Sequence, residues 1–494
     1  MPVKESKKTA VQAVEKSKEK RVRNPRTRHF EFLGPHLTPV FVFVMCVFPT
    51  IINALCVDGQ CPPAWLTEAV SFAPFASLSA PAGSLVPAEN ATATYARTVG
   101  RLGPILPTAI AVVAAWYAWQ AALYMLLPGR VITGSLVRDG SRLRYPINAF
   151  SAFVASYMAL AAACAYYGPA PLLWVANNNL ALCVASTLLS VLQSVLLYAA
   201  SFRSVSVGPS NKTRVPALLA VGGNSGYPIY DFFIGRELNP RFYSFDIKYF
   251  CELRPGLIGW SVLNAANAIK QGVVVSASSI DSAAVSWPLI FSSISNSMWL
   301  VLIFQLYYVI DAVWNEPAIL TTMDITTDGF GFMLNYGDLV WVPFTYSLQS
   351  KYLAMASPRN LSYPVVAAIL AIKLLGLTTF RGANSQKNAF RTDPNGPETK
   401  HLKSIQTKRG TRLLVSGWWG TARHINYTGD WLMALSWSLP VGLETAIPYF
   451  YPFYFAILLF HREIRDEHSC KEKYGDDWDK YRSIVKYRFI PGIY

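Results

Sequence analysis

Seven long apolar runs constrain this chain more than any other feature of its sequence. A helix needs roughly 20 mostly apolar residues to cross the hydrocarbon core of a bilayer. The runs lie at about 37–56, 104–127, 148–167, 173–200, 284–310, 362–380 and 431–460. The last run is long enough for two helices hinged near Pro448 and Pro452, because proline interrupts helical hydrogen bonding. We therefore predict a protein that is embedded in a membrane.

Two further runs, at about 257–277 and 338–357, are less apolar. Asn264 and Asn267 interrupt the first run, and Lys351 interrupts the second. Including these runs brings the prediction to about ten helices. Apolar residues make up 52% of the 494 residues and charged residues only 15%, which is unusual for a soluble protein. The predicted fold class is all-α, a polytopic integral membrane protein with about ten transmembrane helices.

The basic residues at the start of the chain indicate its membrane topology. Residues 1–28 contain ten Lys or Arg and three Glu, without apolar periodicity. Such a stretch is typical of disorder, and the positive-inside rule assigns it to the cytosol. We therefore expect a disordered cytosolic tail over 1–28. We also expect no nucleic-acid partner, although the net charge is +15.

The seven cysteines show neither a CxxC motif nor a histidine at zinc-ligand spacing, so we expect no metal site. Cys56 and Cys61 lie at the start of a segment rich in Pro, Ala and Ser, which we delimit as 57–101. If the tail is cytosolic, this segment follows the first span and forms a lumenal insert. A disulfide between the two cysteines and glycosylation of Asn90 are both permitted there.

Four carboxylates follow directly on the apolar run at 284–310: Asp311, Glu316, Asp324 and Asp328. Carboxylates at membrane depth are costly, and they usually face a cavity or pair with other groups. Interhelical hydrogen bonds and helix caps account for at least two of the four on the simplest interpretation. The same residues also suit an intramembrane polar cavity, which a buried substrate hydroxyl requires.

The C-terminal part, 381–494, combines cations with aromatic rings. Lysines and arginines between 387 and 412 are followed by the stretch WWGTARHINYTGD and later by a tyrosine-rich tail. Cations hold phosphate groups by charge-assisted hydrogen bonds, and aromatic side chains stack on rings. For a single pair, such as Arg462 and Asp466 four residues apart, an exposed helical salt bridge is the competing interpretation. Together these residues predict a site for a phosphorylated, aromatic cofactor.

Five motifs give the chain a resemblance to a known family. They are LLPGRVITG at 126–134, DFFIGRELNPR at 231–241, LTTMDITTDGFGFML at 320–334, HINYTGDW at 424–431 and HREIRDEHSCKEKYGDDWDKY at 461–481. At these motifs the chain resembles the sterol reductases, which include the C-14, C-24(28) and C-7 reductases and the membrane domain of the lamin B receptor. The resemblance covers 32–494, apart from most of 57–101.

Within that family, TTMDITTDGFGFML followed by GDLVWVPFTYSLQ resembles the C-14 reductase and lamin B receptor branch rather than the C-7 branch. The overall match is closest to the fungal delta14-sterol reductases. Residues 1–28 are too short for the Tudor-bearing region of the lamin B receptor. The resemblance implies one ten-helix transmembrane domain over 29–494, with NADPH bound in 381–494 and accessible from the cytosol. The implied reaction is reduction of the C14=C15 double bond of a sterol intermediate in ergosterol biosynthesis.

The resemblance also assigns cofactor contacts to residues of this sequence. Lys387 and Arg391 would lie near the 2'-phosphate and the pyrophosphate of NADPH. The other contacts that the motifs imply are Leu414, Trp419, Asn426, Tyr427, Arg462, Asp466, Cys470, Lys471, Glu472, Lys473, Tyr474 and Tyr481. The family site therefore coincides with the cluster of cations and rings that the residues alone indicate.

An isolated alkene has no carbonyl to accept negative charge, so protonation must precede or accompany hydride transfer. A proton added to carbon 15 leaves a tertiary cation at carbon 14, which aromatic faces can stabilise. Tyr308 is the candidate acid, because it aligns by resemblance with a substrate-side tyrosine of the family; an interfacial belt residue is the alternative. Tyrosine has a pKa of about 10 and needs a relay. Asp466 and Glu316 are the first candidates, and Asp311 and Asp324 follow.

Other functions fit parts of the sequence. Reduction of a different sterol double bond, C-24(28) or C-7, would keep every cofactor residue. The stretch RDEHSCKEKYGDDWDKY is also similar to the isoprenylcysteine carboxyl methyltransferases, which bind S-adenosylmethionine but lack the DGFGF and GRELNPR motifs. A non-catalytic scaffold or sterol binder like the lamin B receptor is a further alternative. We expect a sterol substrate, contact with membrane lipid and a multi-pass location in the endoplasmic reticulum.

Overall fold

A computed structural model describes residues 23–56, 61, 91–207, 213–279, 286–355 and 359–494. The chain is mostly helical, with 67% helix. Four two-stranded antiparallel hairpins in the described part modify the all-α expectation. They connect helices and contribute no membrane-spanning strands of their own, because each strand has at most seven residues.

The helices of the first half are separated by three of the hairpins. These helices are α1 Thr38–Ala54, α2 Ala91–Leu126, α3 Ala149–Tyr167, α4 Ala170–Asn177, α5 Asn179–Ala200, α6 Pro228–Ile234, α7 Ile247–Leu253 and α8 Pro255–Ser279. The hairpins are β1 Arg130–Leu136 with β2 Arg142–Ile147, β3 Ser204–Val207 with β4 Thr213–Pro216, and β5 Arg241–Phe242 with β6 Phe245–Asp246.

The second half holds the longest helices of the C-terminal part and the fourth hairpin. Its α-helices are α9 Trp287–Ser292, α10 Asn296–Trp314, α11 Met323–Thr326, α12 Phe332–Tyr336, α13 Val342–Thr345, α14 Leu348–Met355, α15 Tyr363–Thr392, α16 Trp418–Thr421, α17 Ile425–Ser438, α18 Phe450–Tyr474 and α19 Asp476–Ile484. The hairpin is β7 Ser404–Gln406 with β8 Arg412–Leu414. Short 3-10 turns occupy Glu316–Thr321, Leu439–Val441 and Ile447–Tyr449, and a π-helix occupies Gly337–Trp341.

Five described helices are long and apolar enough to cross a membrane, so the expected count of about ten is not confirmed. They are Gly100–Leu126, Ala149–Tyr167, Asn179–Ala200, Asn296–Trp314 and Tyr363–Thr392. The helix α1 is apolar but shorter, with 17 residues. Some predicted runs fall short because the backbone breaks within them, as at Asn178 between α4 and α5.

Parts of the predicted tail and insert lie outside the described residues. These are residues 1–22, most of 57–101, and Asn90 with its glycosylation motif. Where the tail is described, it is not disordered: the Asn24 amide donates to the carbonyl of Ala217 at 2.9 Å. The helix α2 begins within the predicted insert, at residue 91, and its candidate membrane span begins at Gly100. A disulfide joins Cys56 to Cys61.

Polar residues inside α8 are satisfied by neighbouring helices. The Asn264 amide donates to Gln305 at 2.6 Å, and the Asn267 amide donates to Ser350 at 3.0 Å. Buried polar groups in a helix bundle are stable when each finds such a partner. The uncertain run at 257–277 is therefore a buried helix, and its amides connect it to α10 and α14.

Two features of the C-terminal part position the site. The helices α15 and α17 approach so closely that a Cβ on Gly376 would lie 2.7 Å from the carbonyl oxygen of Gly429. This contact holds the middle of α15 against the first turns of α17. The predicted division of the 431–460 run is confirmed: α17 ends at Ser438, and α18 begins two residues after Pro448.

Candidate active site

A cavity of about 280 Å³ opens where the end of α15 meets β8, the start of α17 and the helices α18 and α19. We call it the C-terminal cavity. It is lined by Lys387, Phe390, Arg391, Arg412, Leu413, Leu414, Trp419, Arg423, His424, Asn426, Tyr427, Asp466, Cys470, Tyr474, Trp478 and Tyr481. Cations, rings and a carboxylate thus converge from one C-terminal stretch of the chain.

Lys387 and Trp419 form one side of the C-terminal cavity. The ammonium of Lys387 lies over the indole of Trp419, 4.0 Å from the ring centroid. The indole N–H donates to the carbonyl of Ala383 at 2.7 Å, which fixes the ring against α15. A cation held on an aromatic face keeps its N–H donors available for an anion.

Two arginines add positive charge at the mouth of the C-terminal cavity. The guanidinium of Arg412 lies 5.3 Å from the ring centroid of Phe390 and donates to Asn395 at 3.1 Å. Arg391 is exposed on the last turn of α15. Guanidinium groups at this position suit phosphate oxygens, because they present several donors in a planar fork.

Asp466 and Tyr427 connect α18 to α17 inside the cavity. The hydroxyl of Tyr427 donates to Asp466 Oδ2 at 2.8 Å. The ring of Tyr427 also stacks on the ring of His424, with centroids 5.0 Å apart. The carboxylate of Asp466 therefore lies at the inner wall of the cavity, where it can accept hydrogen bonds from a bound hydroxyl or amide.

The opposite wall is aromatic. The rings of Trp478 and Tyr481 stack at 4.8 Å, and those of Tyr474 and Trp478 at 6.3 Å. The indole N–H of Trp478 donates to Glu467 at 3.0 Å, so this wall is anchored to α18. Stacked rings beside several cations form a surface that matches a planar, phosphorylated ligand.

Two titratable groups of the C-terminal cavity are held neutral at physiological pH. Burial and the positive charge of Lys387 lower the pKa of His424 to about 3. Burial and the negative charge of Asp466 raise the pKa of Cys470 to about 11. The cavity therefore offers a neutral imidazole and a neutral thiol, while its positive charge comes from Lys and Arg.

The structure brings most of the predicted cofactor residues together. Ten of the fourteen line the C-terminal cavity: Lys387, Arg391, Leu414, Trp419, Asn426, Tyr427, Asp466, Cys470, Tyr474 and Tyr481. These residues meet in one cavity because the end of α15, the start of α17 and the hairpin β7–β8 pack against α18. The remaining four predicted residues are not among those that line it.

Three of those four residues are exposed near the end of α18. Lys471 pairs with Asp479, and Glu472 accepts from His468 at 3.3 Å. The ammonium of Lys473 lies over the ring of Tyr474, 5.0 Å from its centroid. The motif includes these residues because they adjoin Cys470 and Tyr474. Helical periodicity turns Lys471 and Glu472 away from the cavity, whereas Lys473 follows Cys470 by three residues and its charge acts on that thiol.

The donor atoms of His29, His468 and Glu472 lie within 4.8 Å of one another. All three side chains are exposed. The expectation of no metal site was argued from cysteine spacing, which does not address such a surface group. An exposed group of this kind is common without an ion, so we assign it no function.

Arg462, the fourth residue, lies between the C-terminal cavity and Tyr308. Its guanidinium donates to Asp324 at 3.4 Å and is within electrostatic reach of Tyr427 and Asp466. Tyr308 is also within electrostatic reach of this guanidinium. Arg462 therefore connects the two parts of the candidate site electrostatically.

Tyr308 projects from α10 into a cluster of large aromatic side chains. Its ring centroid lies 5.3 Å from that of Trp437 and 5.9 Å from that of Trp260. Trp437 in turn stacks on Tyr451 at 5.0 Å, with planes 11° apart. An interior aromatic cluster differs from an interfacial belt, whose residues contact lipid headgroups.

The predicted relay residues do not surround Tyr308. Among the described residues, the charged groups within its electrostatic reach are Asp430, Arg462 and Glu252. Asp466 is hydrogen-bonded to Tyr427 in the C-terminal cavity instead. Asp430 was not predicted as a site residue. It follows Asn426 by four residues in HINYTGDW, so the two share a helical face, and this spacing was a usable signal.

The relay role predicted for Glu316 needs correction, because this carboxylate forms a structural ion pair with Arg254. Its Oε1 accepts from Arg254 at 2.7 Å and from the Tyr249 hydroxyl at 2.5 Å, while Oε2 accepts from the backbone N–H of Ala149 at 2.7 Å. Glu316 is 1% exposed. Tyr308 is not among these partners, so the contacts of Glu316 do not support a relay to Tyr308.

The other carboxylates of that segment are paired as well. Asp311 pairs with Arg381, Asp324 with Arg462 at 3.4 Å, and Asp328 with Arg465 at 2.7 Å. The simplest interpretation expected interhelical hydrogen bonds and helix caps for at least two of the four; in the structure each of the four carboxylates forms an ion pair. These pairs attach the 311–328 segment to α15 and α18.

The donor set of the C-terminal cavity fits a phosphorylated nicotinamide cofactor. Lys387, Arg391 and Arg412 supply positive charge for phosphates. Two buried polar atoms in the cavity wall, His424 Nε2 and Asn426 Oδ1, have no hydrogen-bond partner in the described part of the chain. Buried polar atoms seldom stay unpaired, so these atoms indicate a ligand that completes the wall.

Other lining residues were also missed by sequence reasoning. Trp478 and His424 were not among the predicted contacts, yet both line the cavity. Trp478 follows Tyr474 by four residues, and His424 precedes Asn426 by two. The spacing of aromatic residues over 474–481 was the available sequence signal for Trp478. No comparable signal marks His424.

The fold and cavity define a polytopic helical membrane protein with a basic, ring-lined site at its C-terminal end. Its sequence matches the Ergosterol biosynthesis ERG4/ERG24 family over residues 97–494. It is 48% identical to the Delta(14)-sterol reductase erg24 of Schizosaccharomyces pombe over 380 residues, covering 77% of this chain and 83% of that protein. The chain therefore belongs to the ERG4/ERG24 sterol reductase family.

Two further relatives differ in how much of their length is matched. The chain is 41% identical to the Delta(14)-sterol reductase of Septoria lycopersici over 505 aligned positions, covering 94% of this chain and 96% of that protein. It is 48% identical to the Delta(14)-sterol reductase LBR of Gallus gallus over 375 residues, covering 76% of this chain but 55% of that protein. The similarity to the second relative is thus confined to part of a longer protein.

Proposed function

We propose that this protein is a delta14-sterol reductase, which uses NADPH to reduce the C14=C15 double bond of a sterol intermediate in ergosterol biosynthesis. The observation that carries the proposal is the C-terminal cavity, whose cations and stacked rings match a phosphorylated nicotinamide cofactor. The three relatives described above are named delta14-sterol reductases, which supports this specificity.

In this proposal the C-terminal cavity holds the cofactor. Lys387, Arg391 and Arg412 bind its phosphates, and Trp478 with Tyr481 provides a stacking surface. Asp466 accepts hydrogen bonds on the inner wall. NADPH, when bound, supplies the hydride for the substrate. Water is kept from the reacting carbons by the aromatic cluster around Tyr308.

The protein's own contribution to the chemistry is the proton. The hydroxyl of Tyr308 donates to carbon 15, and Asp430 supports the resupply of that proton, since it is the carboxylate whose charge acts most strongly on Tyr308. The faces of Trp437 and Trp260 stabilise the positive charge that develops at carbon 14. This arrangement replaces the relay through Asp466 or Glu316.

We also propose a location in the endoplasmic reticulum membrane, with the tail and the C-terminal cavity on the cytosolic side. Both are at the same end of the molecule, because Glu31 pairs with Arg465 of α18 at 3.0 Å. Tagging of residue 1 and protease protection in microsomes test the orientation. A tag protected inside intact microsomes would reverse it.

The decisive experiment is product analysis on the purified full-length protein in detergent. NADPH is supplied together with sterols unsaturated at carbon 14, carbon 24(28) or carbon 7, in separate reactions. The proposal expects reduction of the 14-ene alone, with stoichiometric oxidation of NADPH. Reduction of another double bond would overturn the specificity, and sterol binding without turnover would indicate a non-catalytic sterol binder.

A further inference from the structure

A buried lysine lies in the middle of α15, away from the C-terminal cavity. Lys373 is 5% exposed, and its Nζ is buried without a hydrogen-bond partner in the described part of the chain. Burying an ammonium group without hydrogen bonds costs free energy. Lys387, which lines the C-terminal cavity, lies about 21 Å further along the same helix. Lys373 is therefore remote from the cations that bind phosphate in the proposed function.

Aromatic rings surround the ammonium of Lys373. Its Nζ lies 5.4 Å from the ring centroid of Phe304, 5.8 Å from that of Tyr307 and 5.4 Å from that of Trp437. Cation–π contacts within about 6 Å stabilise a charge that is removed from water. Phe304 and Tyr307 belong to α10, and Trp437 belongs to α17. Lys373 thus lies between α10, which carries Tyr308, and α17.

The close contact between α15 and α17 fixes Lys373 near the level of Asp430. Gly376 and Gly429 meet at this contact, and Asp430 follows Gly429 directly. A Cβ on Gly429 would lie 2.6 Å from the backbone nitrogen of Phe380, so a larger residue there would push the helices apart. Lys373 is one helical turn, or about 5 Å, from Gly376. The packing of two helices therefore determines how far Lys373 is from Asp430.

Asp430 is the electrostatic partner of Lys373. Among the described residues, it is the charged group that acts on this ammonium. Arg462 also acts on Asp430, but its guanidinium pairs with Asp324 at 3.4 Å. The other groups within electrostatic reach of Asp430 are tyrosines, which are neutral near pH 7 because an ordinary tyrosine has a pKa of about 10. They are Tyr308 of α10, Tyr346 after α13, Tyr427 of α17 and Tyr451 of α18. Lys373 is therefore the cation whose charge is directed at Asp430 alone.

From these observations we propose that Lys373 is a positioning residue for proton transfer, which acts through Asp430. This inference rests on the proposed function, in which Asp430 returns a proton to Tyr308. A fixed positive charge near a carboxyl group favours its ionised form, so Asp430 releases its proton more readily to the Tyr308 oxygen. The O–H bond of Asp430 breaks, the O–H bond of Tyr308 forms again, and a carboxylate remains near the ammonium. Lys373 keeps its own protons throughout.

Asp430, rather than Lys373, is placed to take up the next proton. Asn426 lines the C-terminal cavity and precedes Asp430 by one helical turn on the same face of α17. Lys373 lies one turn of α15 beyond the glycine contact, on the side away from Lys387. A proton that enters through the C-terminal cavity therefore reaches Asp430 first, and Lys373 contributes its charge from behind.

A pH titration of the purified full-length protein in detergent, followed by infrared difference spectroscopy, tests this inference without relying on turnover. The signal is the C=O stretch of protonated Asp430, identified by its absence in Asp430→Asn. Lys373→Met removes the charge at similar side-chain length, and Lys373→Gln is a second neutral variant in case the first does not fold. Lys373→Arg keeps the charge. Arg381→Met is the matched control, because Arg381 is a cation of α15 that pairs with Asp311 and is not among the charges that act on Asp430.

In the neutral variants, the pH at which Asp430 loses its proton should rise by about one unit, since the nearby cation no longer favours the carboxylate. Lys373→Arg and Arg381→Met should keep the midpoint of the wild type. The same midpoint in the wild type and in a folded neutral variant would overturn the inference. An equal rise in Arg381→Met would also overturn it, because general loss of charge from α15 would then explain the effect.

Turnover of a 14-ene sterol gives the second readout. The pH above which kcat declines should rise in the neutral variants and return to the wild-type value in Lys373→Arg. KM for NADPH should stay unchanged, because Lys373 does not line the C-terminal cavity. An unchanged pH profile of kcat in an active neutral variant would overturn the role of Lys373 alone. Failure of the wild type to reduce the 14-ene would instead overturn the proposed function, and this inference with it.

Discussion

The C-terminal cavity draws its lining from one stretch of chain, 387–481, whereas the surroundings of Tyr308 come from helices far apart in sequence. Glu252 lies on α7, Trp260 on α8 and Asp430 on α17. The first region is basic and opens to solvent, and the second is aromatic and internal. One region is suited to hold a charged ligand, and the other to move a proton without water.

This difference separates binding from chemistry. A change in the C-terminal cavity should act first on the affinity for NADPH, while a change beside Tyr308 should act on turnover. Arg462 is the exception, because its charge acts on both regions. Variants that leave Arg462 in place therefore give the cleanest test of the separation.

Replacing Tyr308 with Phe should have the largest effect on turnover. The substitution keeps the ring in contact with Trp437 and removes only the hydroxyl that donates the proton. Loss of a general acid typically lowers the rate by about 10²–10⁴. Single-turnover kinetics should show this loss, with the dissociation constant of NADPH unchanged. A large loss of NADPH affinity would instead assign Tyr308 to the binding region.

Asp430→Asn should lower turnover less than the loss of Tyr308. The amide is nearly isosteric but cannot support proton resupply to the hydroxyl. We expect a decrease of about tenfold to a hundredfold in turnover, below the loss of the acid itself. Glu316→Gln is the comparison, since the proposal gives Glu316 no role in proton transfer. Equal turnover losses in the two variants, measured per folded molecule, would reject the assignment of Asp430.

Lys387→Ala should weaken NADPH binding by about tenfold to a hundredfold, because one charge-assisted contact to phosphate is lost. Fluorescence titration with NADPH measures the effect. Lys471→Ala is the matched control: it removes a lysine that pairs with Asp479 outside the C-terminal cavity. Similar losses in both variants would mean that general surface charge, rather than the cavity, holds the cofactor.

The two regions also differ in how well sequence predicts them. Most residues that line the C-terminal cavity were predictable, because motifs such as HINYTGDW keep several of them within a few residues. The predicted contacts Lys471 and Glu472 do not line the cavity, because a contiguous motif does not show which helical face is inward. The proximity of Asp430 to Tyr308 depends on how α17 packs against α10, and Glu316 was misjudged because its partner Arg254 lies on a distant segment.

The lack of tertiary information in the sequence also explains why about ten transmembrane helices were predicted and five described helices qualify as spans. Hydropathy located the apolar runs, and the hinge before α18 was predicted correctly from Pro448. It did not predict the break at Asn178 or the π-helix at Gly337–Trp341, because both depend on tertiary contacts. The short hairpins are likewise invisible to a search for long apolar runs.

Glu316→Gln should destabilise the fold while leaving the chemistry intact. Removing the charge leaves Arg254, which is fully buried, without its counter-ion. Breaking such a pair typically costs about 3–5 kcal/mol. Thermal unfolding in detergent should show a lower Tm, with near-normal turnover per folded molecule. Asp476→Asn, which breaks an exposed pair with Lys408, should leave the Tm unchanged.

The smallest effect expected is a pH dependence of stability that originates at His424. Its pKa is about 3 in the folded protein, against about 6.5 in the unfolded chain. The unfolded state therefore binds more protons as pH falls below 6.5, and stability decreases with decreasing pH down to about 3. Between pH 7 and pH 5 this contribution amounts to about 2 kcal/mol. His424→Asn should lose it, so unfolding of the variant should depend less on pH over that range; an unchanged pH dependence would mean that the imidazole is already accessible to protons in the folded cavity.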